Sequence, residues 1–164
     1  MRAVALLLFL AAAPMAAQEH SAHAGHHPAP ALQDSIMAPV KAMFDGMRAH
    51  DSAMVRSAFV PGAQFSRPPA PGEAHGYTTL EQFLGAVGRP GAPWDERIYD
   101  AEIREDGGMA TVWTFFTFHL GERFSHCGVN AFQLVRTGEG WRISGLADSN
   151  RRAGCEVEGR TRTH

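Results

Sequence analysis

Residues 109–148 constrain this chain more than any other stretch. They read as three long segments, MATVWTFFTFHL, SHCGVNAFQLVRT and WRISGLAD, rich in aromatic and β-branched residues and joined by short turns, which is the pattern of an antiparallel meander. The segment before them, WDERIYDAEIRED, sets Ile98 and Ile103 among charged residues and ends in the hairpin signal Asp106-Gly107-Gly108, so it supplies a further strand. With 164 residues and 45% hydrophobic content, the chain can bury one real core but not two comfortable ones.

Helical periodicity precedes the sheet. Ile36, Val40, Met43, Phe44 and Met47 recur at spacings of three and four, predicting an amphipathic helix over about 35–49 with Asp34 as its N-cap. A second helix, capped by Asp51, takes in Met54, Val55 and Phe59 and stops at Pro61-Gly62. Residues 63–66 suit a short strand, and 67–76, with Pro68, Pro69, Pro71 and Gly72, form a loop because proline denies the backbone a ladder donor. A third helix follows at 78–87, with a capping box from Thr78 or Thr79 to Glu81 or Gln82 and with Leu80, Phe83, Leu84 and Val87 on one face. Three helices ahead of an antiparallel meander define an α+β order, expected as three N-terminal helices packed on a curved sheet of about four to six strands.

The N-terminus points to export. Basic Arg2, an apolar run over 3–13, and small Ala16 and Ala17 match a secretory signal cleaved after Ala17. The alternative is a membrane anchor, but the run is well short of the roughly 20 residues that span a bilayer, so no stable anchor is expected after cleavage. The expected location is the periplasm or the extracellular space. Residues 18–31, QEHSAHAGHHPAPA, read as a flexible linker; His20, His23, His26 and His27 either bind a transition metal weakly as a tract or are incidental to a solvated tether. The domain is expected over 32–152, followed by a tail over 153–164. The formal net charge of −2 and the lack of a Lys/Arg run able to neutralise phosphates argue against nucleic-acid binding.

Closing the turns in their simplest registers assigns faces to the sheet. Pairing Leu120 with Ser125 sets His119 opposite His126, Phe115 opposite Asn130 and Trp113 opposite Phe132; pairing Arg136 with Trp141 sets Phe132 opposite Gly145 and Asn130 opposite Ala147. The shared face is bulky near Trp141, Ile143 and Phe132, and turns small or polar toward Gly128, Asn130, His119 and His126, which suggests a pocket. Counting back across Asp106-Gly107 places Asp100 opposite Trp113 on that face. Ligand contacts are therefore expected from Trp113, Phe115, Asn130 and Phe132, and candidate catalytic groups are Asp100, His119 and His126. The alternative for each polar residue is that it faces water or satisfies a local hydrogen bond. A single bulge would move these side chains to the other surface.

The stretch RAHDSAMVRSAFVPGAQF, the Asp-Gly turn, and Gly140-Trp141-Arg142-Ile143 leading into LADSNRR resemble the nuclear transport factor 2-like superfamily, which includes SnoaL-like polyketide cyclases and ketosteroid isomerases. The resemblance covers about 36–152. It implies a cone-shaped α+β fold whose curved sheet leaves a pocket at its open end, and a homodimer through the outer sheet face. No cofactor and no metal are expected. Isomerase chemistry needs a carboxylate base and donors for an enolate oxygen; Asp100 is the candidate base, but of the two tyrosines, Tyr77 and Tyr99, the latter alternates away from it. Three functions stay open: a pocket for a small, largely apolar molecule, a cyclase- or isomerase-type enzyme using an Asp or His base, and a structural or dimerisation module.

Cys127 and Cys155 are too few ligands for zinc, and in an oxidising compartment they form a candidate disulfide, with two free thiols as the alternative. The assumed register leaves Cys155 five residues beyond the position opposite Cys127. A bridge therefore requires the chain to turn back at 151–154, and it requires alpha carbons within about 7 Å.

Overall fold

The computed structural model describes residues 28–163, so the expected signal segment and the histidines of the linker lie outside the described residues. The first helix, α1 (Pro30–Ala49), begins earlier than its periodicity suggests. Pro30 stands at its start, where a missing N–H costs nothing, and Asp34 therefore lies inside the helix instead of capping it. His50 ends α1 in the left-handed region with φ 55°, and its Nδ1 lies 2.9 Å from the carbonyl of Val87. Asp51 caps the short α2 (Ser52–Ser57) by accepting from the Met54 N–H at 2.9 Å.

Phe59 does not extend α2. It opens β1 (Phe59–Ser66), which runs through Pro61-Gly62 with an irregularity between Phe59 and Gln64. The third helix is thus separated from the first two by β1 and β2 (Tyr77–Thr79); α3 (Leu80–Val87) carries the expected capping box between Thr79 and Gln82. Then follow β3 (Trp94–Asp106), β4 (Met109–Leu120), β5 (Arg123–Thr137), β6 (Gly140–Asp148) and β7 (Arg162–Thr163). Seven strands, more than the four to six expected, form one sheet in the order β2-β1-β6-β5-β4-β3-β7, antiparallel except where β1 pairs with β6.

The meander departs from simple counting at three bulges. β4 and β5 turn tightly, with Leu120 opposite Arg123, and an extra residue, Ser125, then shifts the register so that Phe118 faces His126 and Trp113 faces Ala131. The tighter turn alone moves the pairing by two and preserves every face; the bulge moves it by one and exchanges them. β3 bulges at Asp100 and Ala101, and β6 bulges at Ser144, which sets Asn130 opposite Asp148. The helices cover one face, where Val40, Met43 and Phe44 of α1 and Leu84 and Val87 of α3 meet Val112, Phe116, Phe132, Leu134 and Ile143. Apolar burial on this scale is the main driving term for the fold.

Gly128 permits one close approach. A Cβ there would lie 2.0 Å from the Ser149 carbonyl oxygen, so the end of β6 can lie against β5 only because position 128 has no side chain. Beyond β6 the chain does turn back: Cys127 pairs with Arg151 in an isolated bridge, and Cys127 and Cys155 form a disulfide with alpha carbons 5.6 Å apart. The tail then crosses the outer face. Arg160 lies 3.8 Å over the Phe115 ring and β7 adds to the edge of β3, so Tyr99, Phe115 and Cys127 form a small second core beneath it.

Because the bridge spans 28 positions, Cys155→Ser should lower the unfolding free energy by about 3.5 kcal/mol in the chain-entropy account. Urea denaturation without reductant measures this; an unchanged midpoint would mean that Asp100 and Arg160 hold the tail unaided.

Candidate functional site

Between the helices and the inner sheet face lies a cavity of ≈ 200 Å³. Its apolar walls are Met43 and Met47 of α1, Phe83 of α3, Phe65 of β1 and Leu146 of β6. Its polar groups are Glu96, Asn130, Asp148 and Arg67, together with Ser66 and Thr78. A wider depression of ≈ 750 Å³ under the proline-rich loop 67–76 shares Arg67, Gly76 and Thr78 with it, so that loop forms the rim.

Glu96, Asn130 and Asp148 arrive from strands, and Arg67 from the loop that follows β1. Trp94, Glu96 and Ile98 are successive inward positions of β3, and Ile98 packs into the core. Glu96 thus replaces the apolar residue that the pattern would place there. Asn130 is the inward residue of β5 two positions before Phe132, is 2% exposed, and donates through Nδ2 to Glu96 Oε1 at 2.7 Å. Asp148 faces inward because of the Ser144 bulge, and its Oδ2 accepts from Arg67 Nε at 2.9 Å and from Arg67 Nη2.

Burial pushes the Glu96 carboxyl up to about 8; Asn130 and Arg67 oppose that rise, and the Asp148 charge adds to it. Glu96 is therefore mostly a protonated acid at neutral pH, held beside an ionic Arg67–Asp148 pair. Such a split between neighbouring carboxyl groups lets one donate a proton or hydrogen bond while the other stays charged.

The expected site residues are dispersed. Trp113 is 55% exposed on the outer face, contrary to the inward orientation expected, because the Ser125 bulge exchanges the faces of β4 relative to β5. Phe115 is also on the outer side, buried under the tail beside Cys127. Phe132 faces inward but is core, edge-on to Phe44 with ring centroids 6.1 Å apart. Of the four ligand-contact residues expected, only Asn130 borders the cavity.

Asp100 sits in the β3 bulge with φ 52° and its carboxylate turns outward, accepting from the Thr161 N–H at 2.8 Å and from Arg160 at 2.7 Å. Those two contacts, the Thr161 N–H first, hold its pKa below the usual range. Its role is to anchor the tail. His119 and His126 are not opposite one another: His119 pairs with Phe124 and His126 with Phe118. His126 lies on the inner side, with its ring 4.9 Å from Phe118 and Nδ1 3.1 Å from the Ser125 hydroxyl; burial and then Arg67 lower its pKa. Burial, followed by Arg97, likewise lowers that of His119, whose buried Nδ1 has no partner. Neither histidine borders the cavity. Glu96 and Arg67 were absent from the sequence reading, and the Trp94-Glu96-Ile98 alternation is the signal that marks Glu96. Among the described residues, no group of three or more His, Cys, Asp or Glu is arranged to hold a metal ion.

The helix hairpin, the returning sheet and the open-mouthed cavity between them define the nuclear transport factor 2-like fold. The SnoaL-like domain family model matches residues 36–149, and the chain belongs to that family. No curated protein matches it. Similar solved structures include a nuclear transport factor 2-like protein with a cystatin-like fold from Novosphingobium aromaticivorans, 11% identical with a TM-score of 0.62, covering 74% of this chain and 83% of that one. A protein of unknown function from Mycobacterium tuberculosis is 18% identical with a TM-score of 0.62, over 77% of this chain and 80% of that one. Another, of unknown function from Shewanella baltica, is 13% identical with a TM-score of 0.60, over 77% of this chain and all of that one.

A half-buried acid whose carboxyl is pushed up to about 8 binds its proton in the folded state over a range where the unfolded chain has lost it. Its contribution to stability is complete below pH 4 and falls as pH rises, by up to about 1.4 kcal/mol per unit between roughly pH 5 and 8. Denaturation across this range should show that slope in the native chain and its loss in Glu96→Gln.

Proposed function

We propose that the protein is an exported binder of a compact, largely apolar molecule held in the cavity with a polar group on Glu96 and Asn130. The observation that carries this reading is the hydrogen-bonded Glu96–Asn130 pair facing a space walled by methionine and phenylalanine, the combination of apolar walls and few convergent polar groups usual in ligand sites. The volume of ≈ 200 Å³ favours a compact ligand. Export is supported by the signal-like opening of the chain and by the Cys127–Cys155 bridge, which suits an oxidising compartment. No helix among the described residues is long and apolar enough to cross a membrane.

A second reading, proton-transfer chemistry of the cyclase or isomerase type, draws support from the raised Glu96 acid beside Asp148, and Glu96 replaces Asp100 and the histidines as its general acid or base. Homodimerisation is proposed through the outer face. There Trp113 is 55% and Tyr77 62% exposed beside a trough of ≈ 880 Å³ that carries both Glu102 and Arg104. Opposite charges on one patch allow a two-fold contact to satisfy itself.

Native mass spectrometry of protein from its own host should show a small-molecule adduct that is lost on denaturation and absent from a Glu96→Ala, Asn130→Ala double variant of retained fold. An adduct that survives in that variant places the ligand elsewhere. Sedimentation should give a dimer that Trp113→Glu converts to a folded monomer; a monomeric native chain would refute the outer-face contact.

A further inference from the structure

The cavity contains an imbalance of charge that narrows the ligand class, on the reading that it is a binding pocket. Two carboxyl groups, Glu96 and Asp148, border it against one guanidinium, Arg67. Arg67 is already committed to Asp148 through two N–H groups. Glu96 Oε1 accepts from Asn130, and among the described residues its other oxygen has no hydrogen-bond partner and no cation within salt-bridge distance. When Glu96 ionises, the lining therefore carries one negative charge without a partner.

Glu96 is half-buried, and a ligand that closes over it removes its remaining water, so its charge is then tolerated only when it is paired. An anionic ligand would add a further negative charge and compete with Asp148 for Arg67. A neutral hydroxyl or carbonyl would meet the Glu96 hydrogen bond but give an ionised Glu96 no counter-charge. A cation satisfies both, and the Phe65 and Phe83 rings add surfaces that attract one. We propose that the cavity selects a compact lipophilic amine in its ammonium form, with the nitrogen donating to the free Glu96 oxygen and the hydrocarbon lying against the phenylalanine and methionine walls.

The proton balance follows from the state of Glu96. Burial keeps it mostly protonated at pH 7, so uptake runs as Glu96–COOH plus R–NH3+ giving the carboxylate–ammonium pair plus a proton released to solvent. The groups that face Glu96 from the surrounding elements are Asp148 of β6, Arg67 of the rim, and Asn130 and, farther away, His126 of β5. α1 presents its methionines to the cavity. Its Lys41, Asp45 and Arg48, with Arg97 and Arg162, line a separate depression at the sheet edge that Glu96 also borders, and none of them is ion-paired with Glu96.

Calorimetry on the full mature chain with benzylamine, benzyl alcohol and benzoate tests the proposal. Benzylamine should bind about ten- to a hundredfold tighter than benzyl alcohol, as a charge-assisted hydrogen bond implies, and benzoate should not bind. In two buffers of different ionisation enthalpy at pH 7, binding should release about one proton per amine, and affinity should rise roughly tenfold per pH unit as pH approaches 7 from below. Glu96→Gln, checked for retained fold, should abolish the proton release and the amine preference. Benzyl alcohol matching the amine, or amine binding without proton release, overturns the amine class and leaves the pocket standing. If none of the three binds and the Met43 and Met47 methyl resonances stay unmoved, both the amine class and the pocket fall.

Discussion

Side chains on a strand alternate with a period of two, so one inserted residue reverses the face of everything beyond it. This sheet contains three such insertions within its meander, at Asp100 and Ala101, at Ser125 and at Ser144. They determine where every polar group points. The first sends the Asp100 carboxylate out to the tail, the second puts Trp113 outside while Asn130 stays inside, and the third brings Asp148 to the inner face opposite Asn130. Bulges are common beside functional sites because they re-aim side chains without breaking the sheet.

The two faces then acquire different roles. The inner face is closed by helices whose spacing of apolar residues matches the bulky part of the sheet, and the polar group left at the less bulky end, Glu96, must be hydrogen-bonded to be tolerated there. Asn130 provides that bond. The outer face is divided: the tail, pinned by the disulfide, by Asp100 and by Arg160 over Phe115, covers the region of Tyr99 and Phe115, while the region around Trp113 stays open. Gly128 links the two faces, since its missing side chain lets the chain beyond Asp148 pass close enough to β5 to reach Cys127.

The electrostatics of the cavity follow from that geometry. Partial removal from water favours the protonated form of Glu96, and the neighbouring Asp148 carboxylate strengthens the effect. A charged ligand in the proposed site would exchange a proton with Glu96, under the binding reading and the chemical reading alike. The fold alone does not decide between these, because members of one fold support unrelated activities; the protonation of Glu96 is the property of this chain that bears on both.

Much of the local structure is legible in the residues. The spacing of Ile36, Val40, Met43, Phe44 and Met47, the caps at Asp51 and Thr79, the Asp106-Gly107-Gly108 turn and the alternation within each strand depend on neighbours in sequence, and they define an α+β chain. The disulfide is legible too, from two cysteines with a turn between them. The helix start was not, because Pro30 makes a helix end that needs no side-chain cap. The site was only partly legible. Asn130 is legible as a polar residue on the inner face, and Trp94-Glu96-Ile98 carries the alternation that marks Glu96. The partnership of Glu96 with Asn130, and the inward turn of Asp148, depend on bulges at Ser125 and Ser144 that have no distinctive residue signature. A bulge is stabilised by how strands from distant parts of the chain pack and twist together. The sequence by itself therefore determined which elements form, and only the tertiary structure decided which of their faces meet around the cavity.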